Sequence, residues 1–185
     1  FISANNIVGD QDIRFSVVRY GNVFGSRGSI VPLFNKFKDK EYFPITNKKM
    51  TRFHITLNEG VSFVLMSLSK MYGGEIFIPK LKSIKIIDIA KAINPRKKIK
   101  IVGIREGEKI HEDMITESES RHTIVYKNYF VIASESKLQK YPIQKIAKLT
   151  KGTISKHKFI YSSNSENDYL SIKEIAKEVN NLHDT

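Results

Sequence analysis

The sequence predicts an α/β protein, and three observations carry that prediction. Short runs of β-branched and aromatic residues alternate with stretches whose apolar residues recur at helical spacing. The first of those runs feeds a glycine-rich turn that opens a helix, as the late strands of a doubly wound sheet do. Of the 185 residues, 41% are hydrophobic and 27% charged, the balance of a globular chain with a real core rather than of a disordered or fibrous one.

Taken in order, residues 13–18 (Ile-Arg-Phe-Ser-Val-Val) read as a buried strand running into the loop at 20–28. Ser29 heads a helix with Ile30, Val31, Leu33, Phe34 and Phe37 on its apolar face and Pro32 in the first turn, where a missing amide is tolerated. Thr56 and Glu59 have the spacing of a capping box for a second helix, in which Val61, Phe63, Val64, Met66 and Leu68 follow and which stops at Gly73-Gly74. Residues 75–79 form a short strand. Ser83 starts an amphipathic helix with Ile86, Ile87, Ile89, Ala90 and Ile93 inward, closed by Asn94-Pro95. Residues 99–104 alternate as a strand; after a turn, 108–115 read as a short helix and 123–133 as a strand or hairpin. Ser171 opens a last helix with Ile172, Ile175, Ala176 and Val179 inward. The strands expected number only three or four, few for a closed sheet.

The formal charge is +12, from 31 basic and 19 acidic side chains. Such an excess suggests nucleic acid or an anionic surface. Its make-up weakens the suggestion, because 24 of the basic residues are Lys and only 7 are Arg, the residue with the bidentate fork for phosphate. Residues 137–158 hold seven lysines, few aromatics and no acid, which reads as a solvated face with little periodicity. A basic nucleic-acid-binding module stays as an alternative only.

The absence of cysteine excludes disulfides, thiolate zinc sites and cysteine nucleophiles. No apolar run approaches the roughly 18 residues of a membrane span. His54, His111, His122, His157 and His183 lack metal-ligand spacing, so no metal is expected. Neither a Gly-x-Ser-x-Gly elbow nor a readable triad or carboxylate pair is present, and no catalytic residue is assigned. The chain opens Phe-Ile-Ser-Ala-Asn-Asn, without Met or a signal-peptide pattern, and is expected to be a segment of a longer protein.

Three clusters could carry chemistry. Residues 19–29 (Arg-Tyr-Gly-Asn-Val-Phe-Gly-Ser-Arg-Gly-Ser) place glycines, Asn22 and Arg27 between a strand and a helix start, where backbone amides and a guanidinium suit an anion. A plain capped loop explains them equally well, and the spacing is not the Gly-x-Gly-x-x-Gly fingerprint. Arg52 lies among apolar residues in Met50-Thr51-Arg52-Phe53, either as a ligand contact or paired to a helix-end carboxylate. Arg105 and Glu108 flank a turn, as a clamp for a phosphate and a sugar hydroxyl or as a pair that orders the loop.

Together these stretches resemble the C-terminal part of the UDP-N-acetylglucosamine 4,6-dehydratases, enzymes of the extended short-chain dehydrogenase/reductase family, and most closely the inverting subtype of pseudaminic acid biosynthesis. The resemblance rests on 19–29, Val31-Pro32-Leu33-Phe34, Pro44-Ile45-Thr46, Met50-Thr51-Arg52-Phe53, the Glu59-Gly60-Val61-Ser62-Phe63-Val64-Leu65 run, 73–80 and 103–109, with a weaker echo in Tyr161-Ser162-Ser163 and Tyr169-Leu170. It implies late parallel strands of a Rossmann-type fold plus a small substrate-binding α/β region. The implied divisions are 1–43 as the end of the NADP-binding domain, 44–135 as the substrate-binding region, and 136–185 as a tail with a final helix.

The resemblance further implies that Asn22, Arg52, Arg105 and Glu108 contact UDP-N-acetylglucosamine and that Val23, Phe24, Gly25, Ser26 and Arg27 border NADP. The implied reaction is oxidation at C4, loss of water across C5 and C6, and hydride return with inversion at C5. In such enzymes the catalytic Tyr-x-x-x-Lys pair and the dinucleotide loop lie upstream of the part resembled. Here that spacing occurs only in the polar tail, as at Tyr141 to Lys145 with Pro142 inside it, so the chain alone is expected to be inactive. A cytoplasmic enzyme, homo-oligomeric at full length and without nucleic-acid or membrane partners, is expected. A retaining or capsule-type dehydratase or epimerase is the nearest alternative.

Overall fold

The computed structural model describes residues 1–165 and 168–182. A 3-10 turn (Ile2–Asn6) is followed by β1 (Val17–Val18), β2 (Asn22–Val23), α1 (Ile30–Lys36), β3 (Tyr42–Ile45), β4 (Thr51–Ile55) and α2 (Leu57–Lys70). Next come β5 (Ile76–Pro79), β6 (Ser83–Lys85), α3 (Ile86–Ile93), β7 (Lys98–Ile101), β8 (Asp113–Ile115), α4 (Glu117–Ser120), β9 (Thr123–Val125) and β10 (Tyr129–Ile132). The chain ends in α5 (Glu135–Lys140), α6 (Ile143–Leu149), β11 (Thr153–Ile154), β12 (Tyr161–Ser162) and α7 (Ile172–Asn181). It is an α/β fold with parallel strands, in two compact units: one from residues 1–20, 58–80 and 113–161, the other from 21–57, 81–112 and 162 onward.

The first unit is built on a sheet of order β1-β5-β10-β9-β11. β1 pairs with β5 in parallel (Val17↔Ile76, Val18↔Phe77), and β9 with β10 forms the expected hairpin. The strand expected over 13–18 shrinks to its last two residues. Phe15 donates its amide to Asn5 Oδ1 at 2.9 Å and accepts from Asn5 Nδ2 at 2.8 Å, so a side chain takes the bonds a ladder would. Glu75 is buried at the start of β5; its Oε2 accepts from the Ser16 hydroxyl and the amides of Tyr72 and Gly73, the condition for burying a carboxylate.

Helix α2 forms as expected, and much of its apolar face is exposed: Leu65 and Leu68 are 61% and 64% exposed, and Val61 and Val64 are exposed as well. Lysine-rich 137–158 is more ordered than its weak periodicity suggests. Ala147 of α6 is buried, and β11 pairs antiparallel with β9 (Thr153↔Val125), so tertiary pairing organises what local pattern does not.

In the second unit β2 pairs in parallel with β4, β4 antiparallel with β6, and β3 in parallel with β7. Helices α1, α3 and α7 share a core of Val31, Phe34, Phe43, Ile45, Ile84, Ile89, Ile175 and Val179. The Phe34 and Phe43 rings tilt together at 4.8 Å. Four expectations are corrected. Ser83 is a strand residue, because its amide donates to the Asp168 carbonyl and its carbonyl accepts from Leu170, so α3 starts at Ile86. Residues 108–112 are not helical and 113–115 are strand, because the carbonyls of Lys109 and Ile110 are taken by Arg52 and the amide of Glu112 by Ser163. β7 stops at Ile101 rather than 104, ahead of Gly103 at φ +88°. α7 is as expected except that Ile172 faces solvent.

Candidate functional site

One pocket of about 280 Å³ lies wholly within the second unit. Its apolar wall comes from α1, β3, β6 and α3 (Ile30, Leu33, Ile45, Ile84, Ile86, Ile89), and its polar mouth from Asn22, Thr46, Arg52, His54, Arg105 and Glu108. The β2–β4 register sets Asn22 opposite His54 and Val23 opposite Ile55. Phe24 follows, its amide on the Ile55 carbonyl at 2.8 Å and its ring edge-on to His54 at 5.0 Å. The turn then closes in two steps, Ser26 amide to Val23 carbonyl and Ser29 amide to Ser26 carbonyl. Gly25 and Gly28 sit at φ +74° and +82°, a region other residues enter at a cost.

All four residues expected to meet substrate line this pocket: Asn22, Arg52, Arg105 and Glu108. Val23, Phe24 and Gly25 line it too, whereas Ser26 and Arg27 are exposed and not among its lining residues. Ser29, expected as a helix head and not as a site residue, also lines it, and its Oγ is buried without a hydrogen-bond partner among the described residues. No group of His, Asp or Glu suited to a metal occurs among the described residues, and His183 lies outside them.

The arginines differ in how much of them is free. Arg52 Nη1 donates to the carbonyls of Thr51 (2.6 Å) and Ile110 (3.1 Å), Nη2 donates to Lys109 (2.8 Å), and Nε faces Glu112 Oε1 at 3.6 Å. A guanidinium has five N–H groups, so one on Nη2 remains. Arg52 thus pairs with a carboxylate and also borders the pocket. Arg105 has no side-chain hydrogen bond or ion pair among the described residues. Its amide donates to Glu108 Oε2 at 3.1 Å and Glu108 returns its amide to the Arg105 carbonyl at 3.0 Å, so the turn presents an uncommitted guanidinium. Thr46 Oγ1 holds the other Glu108 oxygen at 3.4 Å. Behind Arg52 runs a chain that sequence reading missed: Ser163, Thr51 and His111, linked at 2.7 and 2.8 Å.

An apolar slot with cations and amide dipoles at its mouth suits a ligand with a flat or aliphatic body and an anionic group. The family model described as "Polysaccharide biosynthesis protein" matches residues 1–134. The chain belongs to this polysaccharide biosynthesis family. Within it, the chain is 46% identical over 184 residues to the UDP-N-acetylglucosamine 4,6-dehydratase (inverting) of Campylobacter jejuni subsp. jejuni serotype O:23/36 (strain 81-176), covering 97% of this chain and 55% of the relative. It is 37% identical over 128 residues to the UDP-glucose 4-epimerase of Rickettsia bellii (strain OSU 85-389), covering 66% of this chain and 38% of that protein. The X-ray structure of Pen from Bacillus thuringiensis superposes with TM-score 0.81 at 28% identity, covering 98% of this chain and 54% of that one. The chain thus spans about half the length of the dehydratase it matches. The stretches from 19–29 to 103–109 on which the resemblance rests fall inside the matched residues, and 161–163 and 169–170 fall outside them.

Proposed function

We propose that the pocket binds the UDP portion of a nucleotide sugar and that the chain is the C-terminal portion of a UDP-N-acetylglucosamine 4,6-dehydratase of the inverting kind. The observation that carries the reading is the free Arg105 guanidinium beside Arg52, Asn22 and Glu108 in a single slot. A diphosphate carries charge for Arg105 and the last Nη2 hydrogen of Arg52, and Glu108 is suited to accept from ribose hydroxyls. Asn22 supplies an amide that can donate or accept.

NADP fits the turn as a neighbour rather than as an occupant. Val23 and Phe24 offer apolar faces for a nicotinamide, and at Gly28 an added Cβ would meet nothing within 4 Å, so that stretch stays open. Ser26 and Arg27 belong to this border as the solvent-facing part of the turn. When bound, NADP supplies the redox chemistry of the reaction. The chain's own residues then bind the diphosphate, orient the sugar and shield it with the apolar wall. On this reading 1–43 closes the cofactor domain, 44–135 carries the substrate region and 136–185 the tail of a cytoplasmic homo-oligomer, with no nucleic-acid partner.

UDP titrated into the chain tests the reading. Arg105→Ala weakens binding by about tenfold or more, because a hydrogen bond to a charged group contributes roughly 1.5–3 kcal/mol. Equal affinity for parent and variant removes Arg105 from the site. The chain alone yields no 4-keto product from UDP-N-acetylglucosamine. A second reading, an epimerase or a retaining or capsule-type dehydratase, draws on the similarity to the Rickettsia protein. Product NMR at C5 of the whole enzyme separates these reactions.

A further inference from the structure

Ser163 is fully buried, and its bonds lead to Arg52. Its hydroxyl accepts the Glu112 amide at 2.8 Å, stands 2.7 Å from Thr51 Oγ1 and can donate to the Thr51 carbonyl at 3.3 Å. Its amide donates to the Glu112 carbonyl at 2.8 Å. Thr51, 3% exposed, passes the chain on to His111 Nδ1 at 2.8 Å. With the His111 proton on Nε2, Nδ1 accepts from Thr51 and Thr51 accepts from Ser163, so every hydroxyl is satisfied. Removing one hydroxyl leaves a buried donor or acceptor without a partner.

The segment so pinned receives the Arg52 guanidinium, through the Lys109 and Ile110 carbonyls and the Glu112 carboxylate. It is continuous with the turn that bears Arg105 and Glu108. Nothing in the sequence spacing joins Ser163 to Thr51, 112 residues away.

We infer that Ser163 is a positioning residue for the arginine pair: the Ser163–Thr51–His111 chain sets the pose in which Arg52 and the 105–112 loop meet an anionic ligand. The inference rests on the nucleotide reading of the pocket for its ligand, but not for the link between Ser163 and Arg52.

The test uses the full chain, UDP as probe, and the Arg52 Nε–H resonance in arginine-labelled protein. Ser163→Ala weakens UDP by about fivefold or more and shifts or broadens the Arg52 resonance before any ligand is added. Thr51→Val, which keeps the shape and loses the hydroxyl, does the same. Thr51→Ser, which keeps the hydroxyl, stays within about twofold of the parent, an outcome that a loss of packing alone does not give. A folded Ser163→Ala chain with the parent's affinity and an unmoved Arg52 resonance overturns the inference. If Ser163→Ala fails to fold, the Thr51 pair decides by the same two readouts. If the parent binds no UDP, the pocket reading falls by itself, and the ligand-free resonance still decides whether Ser163 positions Arg52.

Discussion

A Cβ at residue 21 would lie 2.6 Å from Phe53 Cβ and 2.8 Å from its carbonyl oxygen, atoms fixed in β4. Gly21→Ala is expected to cost about 2 kcal/mol or more by overpacking, read as a lower urea midpoint. Gly25 differs: the neighbour is the movable Leu182 side chain at 2.4 Å, and its φ of +74° adds a backbone cost of about 1–2 kcal/mol. Leu182→Ala should therefore relieve part of the Gly25→Ala penalty, and an additive double-mutant cycle would refute this contact. At Glu119, burial pushes the carboxyl up, but hydrogen bonds from Arg19 and from the Thr116 amide and hydroxyl together hold it below the usual range. A lowered carboxylate stabilises the fold above its unfolded pKa, and that contribution fades as acid protonates it. Glu119→Gln is expected to flatten the acid limb of stability against pH; an unchanged slope sinks the assignment.

Helix α7 has a capping box, in which Ser171 Oγ accepts the Glu174 amide and Glu174 returns a carboxylate to the Ser171 amide. Those bonds, the Ser171 hydroxyl first, with Lys82 at 3.1 Å, bring Glu174 from an ordinary value near 4.5 down to about 2. The cap is intact above the ordinary value and is lost as pH falls toward 2, so amide exchange in α7 should accelerate over that window and Glu174→Gln should remove the effect. The exposed face of α2 gives a prediction of another kind. Leu65→Lys with Leu68→Glu should reduce light scattering by the chain and leave its melting temperature within a few degrees, since neither side chain is buried. Helices α1, α3 and α7 were legible because their apolar spacing coincides with the faces they bury. The helix expected at 108–115 was not there: its residues have helical spacing, but Arg52 and Ser163 claim the backbone groups a helix would use. The same blindness hid half of the site. Asn22, Arg52, Arg105 and Glu108 stand out by type and by place beside turns, whereas Ser163 and Thr51 look like any other hydroxyl until the fold joins them.

Of the basic residues behind the charge of +12, seven lysines fall in 137–158, and four others lie over aromatic rings. Lys97 lies over the Phe43 ring at 4.6 Å, Lys85 over Tyr169 at 4.7 Å, Lys100 over Tyr42 at 4.8 Å and Lys80 over Phe130 at 4.9 Å. Their stems cover aromatic surface; Lys85 is on β6, Lys100 on β7, Lys80 follows β5 and Lys97 precedes β7. Any retention of duplex DNA by the chain is therefore expected to be lost between roughly 50 and 200 mM salt, and a complex that survives would revive the nucleic-acid reading. The two units also have a consequence for time. The backbone passes between them at residues 20/21, 57/58, 80/81, 112/113 and 161/162, so neither is a continuous stretch. During synthesis the first unit cannot close until its segment 113–161 has emerged. The second must wait longer still, for the Ile175 and Val179 that complete its core. A nascent chain halted at 160 would hold every arginine of the pocket, yet lack both Ser163 and the helix that seals the hydrophobic interior beneath them. Order of synthesis thus makes the finished pocket one of the last features this polypeptide acquires.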